Sequence, residues 1–271
     1  MDNQQHTSEQ FLEDAIRIAR KAGAALKHRL KTDFSVEFKG EVDLVTEMDR
    51  TAQGIIQEEI LTKYPLHGIL AEEDLDDRGT DGHIWIVDPL DGTTNYAHGF
   101  PVFSVSIAVA RHGDTLCGVV HNPMSEETFT GLRGEGASLN GHTISVSGVG
   151  ELDQSLLGTG FPYDIRETAE NNLEYFARLA VAAQGIRRCG SAALDLCSVA
   201  CGRFDGFWEL GLKPWDVAAG ILIVREAGGT VTDFDSNSIT LDGSRVLASN
   251  GLIHSEISGI LNAGGPCEGQ D

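Results

Sequence analysis

Apolar residues near the start of the chain recur at helical spacing. They recur at Leu12, Ala15, Ile16, Ala19, Ala22 and Leu26, the period that turns one side of a helix towards a core. Thr7 and Gln10 precede them with the spacing of a capping box, in which each side chain bonds the backbone at the other position. This pattern predicts a helix that begins after Thr7 and extends to about Leu30.

A second helix is predicted to follow Thr46. Four apolar residues at helical spacing form its buried face: Ala52, Ile55, Ile56 and Ile60. Further along the chain the pattern changes to short apolar runs, which are typical of buried strands. These runs predict strands at residues 84–87, 102–110, 116–120, 127–130 and 144–146. The first of them is predicted to end at Asp88 and Pro89.

In the second half of the chain, helical and extended patterns alternate. Helices are predicted at 167–183, 192–201 and 214–227, and a strand at 204–210. A further strand and a short helix complete the chain. Layers of helices and strands, joined by hairpins as well as crossovers, predict an α/β (α+β) sandwich. Because no linker-like stretch divides the chain, we expect one domain over residues 1–271.

The charge balance is strongly acidic. Asp and Glu number 41 against 20 Lys and Arg, a net charge of −21, which repels nucleic acid and anionic membranes. Part of the excess also fits carboxylates that bind cations. The five cysteines are odd in number and form no Cys-x-x-Cys pair, and the first residues lack a signal-peptide pattern. We therefore expect a cytoplasmic protein with unpaired thiols.

The stretch Asp88-Pro-Leu-Asp-Gly-Thr-Thr-Asn-Tyr96 carries the most chemical information. Two carboxylates three residues apart follow a predicted buried strand, and the Leu90 carbonyl lies between them. Oxygen ligands of this kind suit Mg²⁺. The amides of Gly92 and Thr93, at the start of a predicted short helix, suit a phosphate group. Asp-Pro and Asp-Gly pairs are also common turn formers, so a plain turn is the alternative.

Two further acidic residues stand at the ends of predicted elements. Glu72 follows an apolar run that ends at Ala71, and other acids after it are typical of a solvated loop. Asp216 lies in the first turn of a predicted helix that opens at Pro214, where a carboxylate also favours the helix dipole. The residues alone leave a functional and a structural role open for both.

Together these segments resemble the signatures of the inositol monophosphatase family. The matching segments are Ala71-Glu-Glu73, Asp88-Pro-Leu-Asp-Gly-Thr-Thr-Asn95 and Pro214-Trp-Asp-Val-Ala-Ala-Gly220. Residues 187–195 and 202–211 resemble the bacterial inositol-1-monophosphatase type, and the likeness spans roughly residues 10–262. The resemblance implies the layered αβαβα sandwich that this family shares with fructose-1,6-bisphosphatase.

The resemblance also implies the residues of a site. Ligands for two or three Mg²⁺ ions are Glu72, Asp88, the Leu90 carbonyl, Asp91 and Asp216. Substrate contacts are Glu72, Leu90, Asp91, Gly92, Thr93, Gly190, Ser191, Ala192, Glu209 and Asp216. Catalytic roles fall to Glu72, Thr93 and Asp91, with Lys39 and Asp49 in support near the metal loop.

The activity implied is hydrolysis of myo-inositol monophosphates, or of a similar polyol or sugar phosphate. Direct attack by a metal-activated water, dependence on Mg²⁺, sensitivity to lithium and a homodimer are expected with it. Fructose-1,6-bisphosphatase and histidinol-phosphate phosphatase are alternative activities on the same scaffold. An acidic cation-binding regulatory protein without catalysis is the alternative from a different class.

Overall fold

The first helix begins where the capping pattern predicts it. The computed structural model describes residues 6–30, 36–38, 44–72, 75–76, 82–239 and 244–263. Its helices are α1 (Ser8–Arg29), α2 (Glu47–Lys63), α3 (Thr93–Ala97), α4 (Leu173–Ala182), α5 (Ala192–Ala200), α6 (Pro214–Glu226) and α7 (His254–Asn262). The Gln10 amide donates to Thr7 Oγ1 at 3.4 Å, and the Thr7 amide donates to Gln10 Oε1 at 3.0 Å. The predicted capping box is therefore confirmed.

The strands form two large sheets and one small ribbon. In chain order they are β1 (Val36–Phe38), β2 (Leu44–Thr46), β3 (Gly68–Ala71), β4 (Leu75–Asp76), β5 (His83–Asp91), β6 (Ser104–Arg111), β7 (Asp114–Asn122), β8 (Glu127–Leu132), β9 (Gly136–Leu139), β10 (His142–Thr143), β11 (Leu156–Thr159), β12 (Gly185–Arg187), β13 (Gly206–Leu210), β14 (Thr230–Thr232) and β15 (Arg245–Ser249). Among the described residues, the larger sheet has the order β10-β9-β8-β7-β6-β5-β3-β4 and the smaller one β12-β11-β13-β15-β14. Strands β1 and β2 pair with each other.

Helices and sheets alternate in five layers. Helices α1 and α2 cover one face of the larger sheet, and α5 and α6 lie between the two sheets. Helices α4 and α7 cover the outer face of the smaller sheet. The predicted αβαβα sandwich is confirmed. Within the described ranges, none of the helices combines the length and apolar character needed to cross a membrane.

Burial on both faces explains the uninterrupted apolar runs of the central strands. Along β5, Trp85 and Val87 face the core under α1 and α2, whereas Ile86 faces the core between the sheets. Successive side chains of a strand point to opposite faces, so a sheet with helices on both sides needs apolar residues at every position. These helices and strands place the ends of β5 and β13 beside the first turns of α5 and α6.

Three predicted elements differ from the structure. Strand β5 continues through Pro89 to Asp91 and does not end at Asp88. Residues 144–146 form no strand: the amides of Ile144 and Val146 bond the carbonyls of Ala137 and Ala227, and both side chains pack against the central core. The helix predicted at 167–183 begins only at Leu173, because the preceding residues form turns.

Candidate active site

A cleft of about 340 Å³ opens where strand ends of both large sheets meet the first turns of α5 and α6. The predicted site residues that line it are Glu72, Asp88, Leu90, Asp91, Gly92, Thr93, Gly190, Ser191, Ala192, Glu209 and Asp216. Asp49 is buried behind Thr93. Lys39 lies outside the described residues. Segments far apart in the sequence thus converge on one cavity.

A β-bulge turns Asp88 and Asp91 to the same side of β5. Residues three apart on a regular strand point to opposite faces. Here Asp88 lies opposite Ser106 and Asp91 opposite Ser104, so three steps on β5 match two steps on β6. The extra residue reverses the alternation, and both carboxylates therefore reach the cleft.

Donors at the start of α5 hold one oxygen of Asp91. Ser191 is the N-cap of this helix, and its hydroxyl donates to Asp91 Oδ2. The Ala193 amide donates to the same oxygen at 3.0 Å, and the Ser104 hydroxyl does so at 3.4 Å. Because these bonds occupy Oδ2, the Asp91 carboxylate is fixed in orientation, and Oδ1 remains for other ligands.

Asp216 approaches from the opposite side, in the first turn of α6. Pro214 opens this helix, and Asp216 Oδ2 accepts a hydrogen bond from the Lys213 amide at 2.7 Å. The Leu90 amide donates to Asp88 Oδ1 at 2.9 Å. Backbone amides therefore fix the orientation of both carboxyl groups.

Burial and mutual repulsion make these carboxyl groups retain protons. Burial raises the pKa of Asp91 to about 6. Burial and the nearby charge of Asp91 raise the pKa of Asp216 to about 8. The pKa of Asp88 is raised well above its usual range by burial and by the charges of Glu72, Asp91 and Asp216. A cluster of this kind is unfavourable when ionised and gains stability from a cation.

The chemistry of the donor set fits a hard divalent cation. Carboxylate oxygens and a backbone carbonyl are the ligands that Mg²⁺ prefers, and the burial and mutual repulsion that raise the pKa of Asp88 favour positive charge at this place. Within the residues that the structure covers, no three Asp, Glu, His or Cys side chains are yet close enough together to hold an ion.

The turn at Gly92 has a conformation and a contact that favour glycine. Its φ is +94°, and a Cβ atom there would lie 3.0 Å from the Val102 carbonyl oxygen. Directly after it, the Thr93 hydroxyl lies 3.1 Å from Asp49 Oδ1 and 3.0 Å from the Leu90 carbonyl oxygen. Thr93 therefore links the cleft to the buried Asp49 side chain.

The opposite wall of the cleft contains residues that the sequence analysis did not single out. Asp195, one turn into α5, lines the cavity and is 2% exposed. Burial raises the pKa of Glu209 well above the usual range, and the nearby Asp195 raises it further. Gly160, Phe161 and Tyr163, which follow β11, also line the cavity. Asp195 lies in residues 187–195, which resemble the family, whereas no pattern in the sequence predicts that Gly160 lies beside Glu209.

Comparisons with known proteins agree on one family. The profile described as the inositol monophosphatase family matches residues 7–263. An inositol-1-monophosphatase of Synechocystis is 47% identical over 259 residues, which are 93% of this chain and 89% of that protein. The Nus factor SuhB of Escherichia coli is 45% identical over 243 residues, 89% of this chain and 91% of its own. The structure of an inositol monophosphatase from Anabaena superposes with a TM-score of 0.87 at 43% identity, covering 96% of this chain and 98% of that one.

Proposed function

Because the chain belongs to the inositol monophosphatase family and is therefore a phosphatase of phosphoric monoesters, we propose that it hydrolyses myo-inositol monophosphates or similar polyol phosphates with Mg²⁺. The observation that carries the proposal is the convergence of Glu72, Asp88, Asp91 and Asp216 from three segments on one cleft. Together with the Leu90 carbonyl, these residues would hold two or three cations. Bound divalent cations would neutralise the phosphoryl group, acidify a water molecule and stabilise the leaving oxygen.

In this proposal Thr93 and Glu72 hold the attacking water. The Thr93 hydroxyl has one hydrogen, and donating it to Asp49 leaves lone pairs on Oγ1 to accept a hydrogen bond from the water. The water oxygen bonds to phosphorus as the ester P–O bond breaks. Its proton passes to Glu72 or, through Thr93, to Asp49, and the departing oxygen takes a proton from a second water molecule and leaves as the alcohol.

The other wall would receive the alcohol part of the substrate. Gly190, Ser191 and Ala192 form the turn that opens α5, and Glu209, near the end of β13, lines the same cleft. Backbone amides, a hydroxyl and a carboxyl group suit a molecule with several hydroxyl groups, because each can exchange hydrogen bonds with them. Amides of Gly92 and Thr93 would contact the phosphate.

The resemblance also extends the proposal to the location, oligomeric state, inhibition and partners of the enzyme. We expect a cytoplasmic homodimer, inhibited by lithium and supported at its metal loop by Lys39. The net charge of −21 makes nucleic acid and anionic membranes unfavourable partners. A phosphate ester reaches the site as a small anion that the bound cations attract.

A panel of phosphate esters tests this function. We expect the highest kcat/KM with myo-inositol 1-phosphate, above fructose 1,6-bisphosphate and histidinol phosphate, and loss of activity in excess chelator that added Mg²⁺ restores. Protein carrying Asp91→Asn, purified in parallel, measures any contaminating phosphatase. A preference for histidinol phosphate or fructose 1,6-bisphosphate would contradict the substrate. No Mg²⁺-dependent release from any ester would favour a regulatory protein.

A further inference from the structure

Glu209 lies against a stretch of backbone that has no room for a side chain. Gly160 follows the last residue of β11, one position beyond the pair formed by Thr159 and Trp208, and is therefore beside Glu209. A Cβ atom on Gly160 would overlap the carboxylate carbon and both carboxylate oxygens of Glu209. Its distance to each would be well below 3.0 Å, the practical lower limit for contacts of a Cβ atom. The Glu209 carboxylate thus occupies the space that a side chain at position 160 would need.

The backbone at Gly160 is held by a buried hydrogen-bond network. Asn172 is 1% exposed, and its Nδ2 donates to the Gly160 carbonyl and, at 2.9 Å, to Thr159 Oγ1. Thr159 Oγ1 donates to the Trp208 carbonyl at 2.7 Å, and Trp208 Nε1 donates to Asn172 Oδ1 at 2.7 Å. These bonds join the end of β11 to β13, so the backbone at Gly160 cannot retreat from Glu209.

The Glu209 carboxylate is the group that is free to move. It is the far end of a flexible side chain, and the cleft that it lines offers space on its open side. A side chain at position 160 would therefore push the carboxylate into the cleft, where the alcohol part of a substrate would lie, at little cost to the fold.

We propose that Gly160 is a positioning residue that determines which alcohol the cleft accepts. Because Gly160 has no Cβ atom, the Glu209 carboxylate can pack against the end of β11 and face the hydroxyl groups of the substrate. The inference rests on the proposed function, because it assumes that Glu209 contacts the alcohol. It adds a steric reason for the position of that carboxylate, 49 residues away in the chain.

Gly160→Ala is the variant that tests this role, with Gly148→Ala as the matched control. Gly148 has nothing within 4 Å of its Cβ position and no positive φ. With myo-inositol 1-phosphate, we expect kcat/KM of Gly160→Ala to fall about tenfold, the effect of losing one hydrogen bond to a charged group. With p-nitrophenyl phosphate, whose leaving group has no further hydroxyl, kcat/KM should stay within about twofold. The control should match the wild type on both esters.

A double-mutant cycle separates positioning from general damage to the fold. In a Glu209→Ala background, Gly160→Ala should cause no further loss with myo-inositol 1-phosphate, because there is no carboxylate left to displace. Losses that multiply, or equal losses with both esters, would overturn the inference. Restoration of activity by Glu209→Asp in Gly160→Ala would support it, because the shorter side chain relieves the overlap.

A crystal structure of metal-free Gly160→Ala gives a readout that is independent of activity. We expect the Glu209 carboxylate of this variant to lie in the cleft, away from β11. A carboxylate in the same place as in the wild type would contradict the inference. If the wild type prefers another hydroxylated ester, the proposed substrate fails, and the same comparison is made with that ester. If no ester is hydrolysed, the proposed function fails, and the crystal structure alone decides the position of Glu209.

Discussion

Asp91→Asn lowers kcat by about a thousandfold or more and leaves the fold intact. The asparagine oxygen can replace Oδ2, which accepts hydrogen bonds from Ser191, the Ala193 amide and Ser104. The amide nitrogen then faces the cleft in place of an anionic oxygen, so it cannot bind a cation and removes a negative charge. The measurement is kcat at saturating Mg²⁺ together with the thermal unfolding temperature of the metal-free protein.

Asp14→Asn is a control variant that should lose stability without losing activity. Asp14 is a buried residue of α1 that does not line the cleft, and its carboxylate accepts from Lys63 Nζ at 2.6 Å and from the Tyr64 hydroxyl. We expect this variant to lose stability and to keep its kcat, because the lost ion pair is structural. If Asp91→Asn retained more than a few per cent of wild-type kcat, Asp91 would not be a ligand on which the chemistry depends.

Without divalent cations, the free energy of unfolding falls as the pH rises from about 5 to 8.5. In the unfolded chain an aspartate has a pKa of about 3.9, whereas burial raises that of Asp91 to about 6 and that of Asp216 to about 8. The folded protein therefore binds more protons than the unfolded chain across this range. The stabilising contribution is complete below about pH 4 and is lost as the pH rises through the two folded-state values, a change on the order of a few kcal/mol.

Added Mg²⁺ should reverse this trend, because it binds the ionised carboxylates and binds them best at high pH. Chemical denaturation at about pH 5.5, 7 and 8.5, in chelator and in Mg²⁺, measures both effects. The matched variant is Asp216→Asn, whose stability in chelator should depend less on pH than that of the wild type. An equal slope in the variant, or no stabilisation by Mg²⁺ at high pH, would contradict the assignment.

The sequence predicts those features that depend on short-range patterns. The first helix follows from one capping box, and a sandwich of helices and strands follows from helical periods that alternate with apolar runs, whereas the αβαβα order of the layers follows from the family resemblance. The carboxylates that line the cleft at Glu72, Asp88, Asp91 and Asp216 follow from three signature segments taken together, because a single acidic residue such as Asp216 does not indicate a site by itself. Each of these signals lies within about ten consecutive residues, where spacing and chemistry can be inspected directly.

Features that depend on tertiary contacts could not be predicted from the sequence. The apolar residues 144–146 look like a strand, yet Ile144 and Val146 are apolar because they pack on the central core. The bulge after Asp88 is visible only through its register against β6. Gly160 resembles an ordinary turn glycine, and only the pairing of β11 with β13 shows that it faces Glu209.

Anomalous X-ray diffraction from crystals soaked with Mn²⁺ and phosphate tests the central claim most directly, because Mn²⁺ accepts the same oxygen ligands as Mg²⁺. We expect anomalous peaks within coordination distance of Asp88 and Asp91, one of them also touching Asp216, with phosphate beside Thr93. Crystals of active protein that bind phosphate in the cleft but show no anomalous peak among these carboxylates would contradict it.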